Sequence, residues 1–221
     1  MLMADLDVQI DYWNRIGPTK PFAHPVNLAR LQEFLDPASR ILDFGCGYGR
    51  VAGLLWSCGY RNVTGVDPAP AMVAAARERF PDVGFQVLDH APRIGVPDAR
   101  FDAVLLFSVL TCVPGDAGQR AIVQEATRVL APGGLLYLSD LWLQNDRRNI
   151  DRYEAGRQRY GTYGVFDLPE GVTVRRHDRR WLDELTGGYQ RLALDELQVP
   201  TMNGNTADGF QWFGRKRVTA V

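Results

Sequence analysis

Apolar and polar positions along this chain switch between a two-residue and a near-four-residue period, and the switches mark its elements. Ile41, Leu42 and Phe44 read as a short strand. A glycine-rich turn follows, after which Val51, Leu54 and Leu55 repeat at helical spacing. Val63 to Val66 reads as a second strand closing on Asp67. Pro68-Ala69-Pro70 then opens a helix carrying Met72, Val73, Ala76 and Phe80. Phe85 to Leu88 is a third strand that runs into Asp89 and His90. Phe101 to Phe107 is almost wholly apolar, as a strand buried on both faces must be. A helix marked by Ile122, Ala126, Val129 and Leu130 precedes Pro132-Gly133-Gly134, which is expected to turn the chain into a fifth strand, Leu135 to Leu138, with Asp140 at its exit.

This alternation predicts a parallel sheet covered by helices on both faces. In such a sheet ligands bind beyond the carboxyl ends of the strands. Asp43 with its glycine turn, Asp67, Asp89, Ser108 and Asp140 all fall at that edge. The flanking segments are less regular. Asp5 to Arg15 reads as one short helix with Leu6, Ile10 and Trp13 on a side, followed by the extended Gly17-Pro18-Thr19-Lys20-Pro21. This front section is expected to stand apart from the sheet core as an arm or a lid. Val26 to Leu35 reads as a helix that Asp36-Pro37 ends, and Cys58-Gly59-Tyr60 reads as a helix stop.

Composition narrows the field. The 221 residues fit one domain, and a formal net charge of −1 gives no general attraction for polyphosphate. The amino end, Met1-Leu2-Met3-Ala4-Asp5, lacks the basic stretch and apolar core of a secretory signal. The longest apolar run is far too short to cross a bilayer. Cys46, Cys58 and Cys112 are odd in number and lack zinc-like spacing, so no metal site and a reducing cytoplasm are expected.

The turn Gly45-Cys46-Gly47-Tyr48-Gly49-Arg50 departs from the dinucleotide fingerprint, because its third glycine comes one place early and Arg50 stands where a small residue is needed. Asp43, two places before the first glycine, would repel a pyrophosphate and receive an ammonium group. Asp67 lies about twenty residues beyond that glycine, where a carboxylate meets ribose hydroxyls in this architecture; its other reading is a helix cap.

With these residues in place, the chain resembles the class I S-adenosylmethionine-dependent methyltransferases. Leu42-Asp43-Phe44-Gly45-Cys46-Gly47-Tyr48-Gly49 looks like their first motif. Gly65-Val66-Asp67 with Met72 is similar to the second, Leu88-Asp89-His90 to the third, Phe101-Asp102-Ala103-Val104 onward to the strand beside the reacting methyl, and Arg128 to Gly134 to the segment before the fifth strand. The resemblance implies a Rossmann-like, mostly parallel seven-stranded sheet with an antiparallel C-terminal strand, its last strands drawn from Leu192 to Val199 and Phe210 to Phe213 behind a helix carrying Trp181, Leu182 and Leu185. It implies S-adenosyl-L-methionine as cofactor, S-adenosyl-L-homocysteine as product and a small-molecule methyl acceptor. The implied cofactor contacts are Tyr12, Asp43, Gly45, Cys46, Gly47, Gly49, Asp67, Pro68, Met72, Asp89, His90 and Phe107. No nucleic acid or membrane partner is expected, and a homodimer stays open. Residues 1–221 then form one methyltransferase domain: arm or lid 1–25, cofactor-binding core 26–140, substrate-side cap 141–180, and C-terminal helix and hairpin 181–221.

Two features depart from the family pattern. Ala69 replaces a frequent capping serine, and Thr111-Cys112 replaces a frequent Glu-His pair, which removes the usual candidate for a base. His24 is then the first candidate to touch acceptor or cofactor, against a role in pinning the arm. His90 is expected to line the adenine pocket, and His177, opening a helix, to be structural. In the segment from Asn145 to Tyr163 five arginines face three acids, with Tyr153, Tyr160 and Tyr163 between them. This reads either as a cap for an anionic or aromatic acceptor or as a solvated helix, the reading that charge spacing alone favours. The rival functions are an NAD(P)-dependent oxidoreductase, disfavoured by Asp43 and Arg50, and a nucleic-acid methyltransferase, disfavoured by the near-neutral charge.

Overall fold

The computed structural model describes residues 4–218, leaving aside the side chains of Asp5 and Leu6. Met1 to Met3 of the amino end, the expected place of Leu6 on the first helix, and residues 219–221 of the C-terminal segment lie outside the described residues.

In chain order the elements are α1 (Asp5–Val8), α2 (Ile10–Arg15), α3 (Leu28–Phe34), β1 (Ile41–Phe44), α4 (Arg50–Ser57), β2 (Val63–Asp67), α5 (Pro70–Arg79), β3 (Gly84–Val87), β4 (Phe101–Phe107), α6 (Asp116–Val129), β5 (Leu130–Leu141), α7 (Arg147–Tyr160), β6 (Val165–Asp167), β7 (Thr173–Arg175), α8 (Arg179–Leu185), β8 (Tyr189–Pro200) and β9 (Thr206–Lys216). Seven strands form one sheet in the order β3-β2-β1-β4-β5-β9-β8. The pairs among β1 to β5 are parallel, and β9 runs antiparallel to both β5 and β8. The strand order reverses between β1 and β4, each of which is followed by a turn at its carboxyl end. That is the switch point at which a doubly wound sheet opens a crevice.

The sheet is buried on both faces. Leu42, Val104, Leu106, Leu136 and Leu138 pack toward α6 and α8, while Ile41, Ala103, Leu105, Leu135 and Tyr137 pack toward α3 and α4. Successive side chains on a strand point oppositely, so β4 is apolar on both faces apart from the half-buried Asp102 near its start. A third apolar cluster, with Tyr12, Trp13, Met72, Tyr153, Phe166 and Val174, sits over the carboxyl edge.

Several elements differ from their sequence reading. The expected first helix is two helices, broken at Gln9, whose backbone is left-handed (φ 47°). Its side chain explains the break: Nε2 donates to the carbonyl of Thr173 at 2.9 Å, and Oε1 accepts from the Thr173 N–H at 2.8 Å. The front section is therefore stitched to the body instead of standing apart. Asp7 Oδ1 accepts from the Gly115 N–H just before α6 (2.6 Å), and Asn14 Oδ1 accepts from the Ala71 N–H in α5 (2.9 Å). The fifth strand begins earlier than expected, at Leu130: the Pro132-Gly133-Gly134 segment runs within the strand as an irregularity in its register with β4. The final hairpin is longer than expected at both strands.

The small antiparallel pair β6–β7 had no sequence signal strong enough to predict it. It lies against α7, and a Cβ on Gly156 would come 1.6 Å from the Val165 carbonyl oxygen. Only glycine permits that approach. Among the described residues no helix is long and apolar enough to cross a membrane.

Candidate active site

The glycine turn after β1 is built by backbone geometry that side chains resist. Gly45, Gly47 and Gly49 have φ of 77°, 54° and 82°. A Cβ on Gly45 would also sit 2.5 Å from Val109 Cγ2. The N–H groups of Gly45 and Cys46 are anchored on the Val66 carbonyl, which locks the turn against β2.

Two carboxylates close this turn from below. Asp43 accepts from the Ala52 N–H at 3.1 Å; Asp67 accepts from the N–H groups of Gly47 and Ala69, both at 2.9 Å. Asp67 thus grips the turn and the approach to α5, while the Ala71 N–H in the first turn of α5, one of those a capping serine at position 69 would satisfy, is taken by Asn14 Oδ1. Both acids are buried, and neither forms an ion pair among the described residues. Burial pushes Asp43 up to about 7 and Asp67 up to about 6; hydrogen bonds from backbone N–H groups offset part of the rise.

Above them lies a cleft enclosing about 920 Å³, part of it open to solvent. Of the positions predicted to contact a cofactor, Asp43, Gly45, Cys46, Gly47, Asp67, Pro68, Met72 and Phe107 line it. Four do not. Gly49 is turned into the packing between α4 and α5, where its Cβ would meet Phe85, Phe80 and Ala76. Tyr12 is buried in the third cluster, its hydroxyl directed at Met202 Sδ (3.9 Å). Asp89 and His90 are exposed, because the chain turns tightly from His90 to Arg93 and throws both outward. Leu88, Ala91 and Pro92 line the cleft where those two were expected.

A second cavity adjoins the first and shares Trp13, Phe22, Ser108 and Cys112 with it. His24 lines this second space, not the first. Its Nδ1 is 3.0 Å from Ser139 Oγ, and burial, reinforced by Arg50 and Arg176, pulls its pKa down to about 4. The ring is therefore neutral at pH 7. Ser108, at the exit of β4, was noted in the sequence only as a strand-end polar residue. It holds a positive φ of 56° at the junction of the two cavities, a backbone choice that a serine avoids unless surroundings impose it. No sequence signal announces that strain.

The remaining candidates are structural. Asp140 faces neither cavity: it is fully buried and accepts from the N–H groups of Thr111 (2.9 Å) and Leu141 (2.8 Å), tying the loop after β4 to the end of β5. His177 is buried beside Gln119 Nε2 (3.0 Å), as its position before a helix suggested. The Cys112 thiol lies 3.1 Å from the Ser108 carbonyl, and burial raises its pKa far out of the nucleophile's range. Among the described residues no group of three His, Cys, Asp or Glu is placed to hold a metal ion.

Residues 42–138 match the methyltransferase domain family. Over 137 residues the chain is 35% identical to a ubiquinone biosynthesis O-methyltransferase of Xanthomonas axonopodis pv. citri, a match covering 59% of this chain and 56% of that one. It is also 35% identical over 118 residues to a 2-methyl-6-phytyl-1,4-hydroquinone methyltransferase of Synechocystis, covering 52% of this chain and 36% of that one. The chain thus spans about half, or less, of the length of these curated relatives. Among solved structures, a protein of Methanosarcina mazei described as a SAM-dependent methyltransferase superposes with a TM-score of 0.81 at 24% identity, covering 86% of this chain and 97% of that one. A 1,6-didemethyltoxoflavin-N1-methyltransferase of Burkholderia thailandensis, solved with 1,6-didemethyltoxoflavin and S-adenosylhomocysteine, superposes at 0.62 and 22% identity, covering 96% and 82%. At these identities the superpositions establish the fold.

Proposed function

We propose, from the match of residues 42–138 to the methyltransferase domain family, that this chain transfers a methyl group from S-adenosylmethionine to a small-molecule acceptor. The observation that carries this reading is the pair of buried carboxylates, Asp43 and Asp67, flanking a positive-φ glycine turn; Arg50 is the one cation lining the cleft, and among the described residues neither acid forms an ion pair. A buried acid without a partner is costly and favours a ligand that brings positive charge or hydroxyl donors. An S-adenosylmethionine molecule carries an ammonium, a sulfonium and a ribose diol, so the donor set fits.

Asp67 would accept from the ribose hydroxyls while its backbone bonds hold it fixed, and Asp43 would face the ammonium. Leu88, Ala91, Pro92 and Ile122 give the first cavity an apolar slot suited to a flat base. When bound, S-adenosylmethionine supplies an electrophilic methyl: its S–CH3 bond breaks with the electron pair remaining on sulfur, a bond to the acceptor forms, and the acceptor's proton leaves to solvent. The protein's own part is positioning, which contributes about 7–11 kcal/mol in well-oriented reactions. Trp13 and Phe22, lining both cavities, exclude water at the junction. His24, neutral and oriented by Ser139, serves as a hydrogen-bond acceptor for the acceptor molecule; a pKa near 4 makes it a weak base at neutral pH.

The test is calorimetry with S-adenosylhomocysteine and with NAD, repeated on Asp67→Ala, beside a radiolabelled methyl-transfer assay on small-molecule pools. Binding of S-adenosylhomocysteine that the substitution weakens, together with transfer of label, supports the reading. Absence of binding, or binding of NAD in preference, overturns it.

A further inference from the structure

Three arginines, Arg148, Arg152 and Arg176, line the second cavity, and no Asp or Glu does. Arg148 and Arg152 stand one turn apart on α7, which puts both on one face. Arg176 comes from the segment just after β7. Their hydrogen bonds go to neutral groups: Arg176 donates to Thr111 Oγ1 (2.8 Å), Arg148 to Asn205 Oδ1 (3.3 Å) and Arg152 to Asn149 Oδ1 (3.4 Å). The same helix shows the alternative. Arg147 and Arg157, away from the cavity, each meet a carboxylate, Asp151 at 2.9 Å and Glu154 at 2.7 Å.

The cavity arginines are also held in place. The guanidinium carbons of Arg152 and Arg176 lie 5.2 Å and 5.7 Å from the centroid of the Phe166 ring. Asp140 attracts Arg176, but both its oxygens accept from backbone N–H groups and it makes no ion pair with that arginine among the described residues. Converging like charges at a partly dry site repel one another, so the arrangement is stabilised by an anion placed between them. A planar guanidinium binds carboxylate or phosphate through paired donors.

We propose that the acceptor is an anionic small molecule: an apolar or aromatic body, lodged against Phe22, Phe166, Leu168 and Met202, bearing a carboxylate or phosphate that Arg148, Arg152 and Arg176 hold. This rests on the methyl-transfer reading of the same site. The anion fixes one end of the acceptor in the cap, and the atom to be methylated is presented at the junction lined by Ser108.

The experiment is calorimetry on the full chain saturated with S-adenosylhomocysteine, titrated at constant ionic strength with benzoate, benzamide and phenyl phosphate. The expected result is that at least one of the two anions binds more tightly than benzamide by about tenfold or more; which anion it is names the oxyanion. In Arg176→Gln and in Arg152→Gln that preference should fall by about tenfold, with S-adenosylhomocysteine affinity retained. Should Arg176→Gln fail to fold, Arg152→Gln and Arg148→Gln, at less buried positions of α7, carry the test. Equal affinity for anion and amide, binding of none of the three probes, or an undiminished preference in the arginine variants overturns the proposal. Loss of S-adenosylhomocysteine binding by the unaltered protein would instead sink the methyl-transfer reading, so the two failures are distinguishable.

Discussion

The two adjoining cavities carry opposite charge. The first is lined by Asp7, Asp43 and Asp67 with Arg50 as its one cation; the second by Arg148, Arg152 and Arg176 with no acid. They touch through four shared residues, yet the buried carboxylates and the cap arginines form no ion pair with each other among the described residues. The difference follows from how each is built. Asp43 and Asp67 sit toward the carboxyl ends of β1 and β2, where parallel pairing fixes their position to the register of the sheet. The arginines are long side chains on α7 and beside β7, elements that pack over the edge of the sheet and not within it. One cavity is set by backbone geometry and the other by side-chain reach. A site divided in this way can keep one ligand while the cap decides the second.

The comparison breaks most directly at Asp67. Replacing it by Ala should cost S-adenosylhomocysteine about 1.5–3 kcal/mol of affinity, roughly ten- to a hundredfold, measured by calorimetry. An unchanged affinity would show that the acid half does not hold the ligand.

Next comes Gly156→Ala, which attacks the other half. The new Cβ must move α7 off β6, with an expected loss of about 1–3 kcal/mol in denaturant unfolding. The accompanying loss should fall on acceptor binding more than on S-adenosylhomocysteine binding. A variant as stable as the parent would mean that the cap is loosely attached.

A smaller effect sharpens the electrostatics. Asp43 and Asp67 sit above their ordinary values in the folded chain, at about 7 and about 6, so that chain binds more protons than the unfolded one. Their contribution is fully present at and below about pH 4, declines as pH rises, and levels off above about pH 7. An ammonium prefers ionised Asp43. The thermal shift produced by S-adenosylhomocysteine should therefore grow between about pH 6 and pH 8, and a flat profile would place the ammonium elsewhere. The smallest expected change is for Gln9→Ala, about 1 kcal/mol in stability, since it leaves the Thr173 N–H and C=O without their partner.

Much of the first cavity was readable because its residues are close in sequence to strand ends. Asp43 and Asp67 each end or border an apolar run, and the glycines advertise positive φ. Asp89 and His90 lie outside the cleft lining for a matching reason: their place next to a strand is legible in the sequence, but not the turn that leaves them exposed. Tyr12 does not line the cleft, and only Met202, distant in the chain, shows which way its hydroxyl is directed. The cap arginines could be counted in the sequence, but the split between paired Arg147 and Arg157 and unpaired Arg148 and Arg152 depends on which face of α7 meets β6.

By itself the sequence determined the alternation of strands and helices, the glycine turn and the acids beside it. Each of these follows from local period and backbone sterics, which act within a few residues. Only the tertiary structure decided that Gln9 breaks a helix, that Ser108 is forced to positive φ, and that three arginines face an acid-free cavity. Those outcomes depend on partners more than fifty residues apart in many cases, and long-range packing overrides local preference when it satisfies buried polar groups that the chain alone leaves unmet.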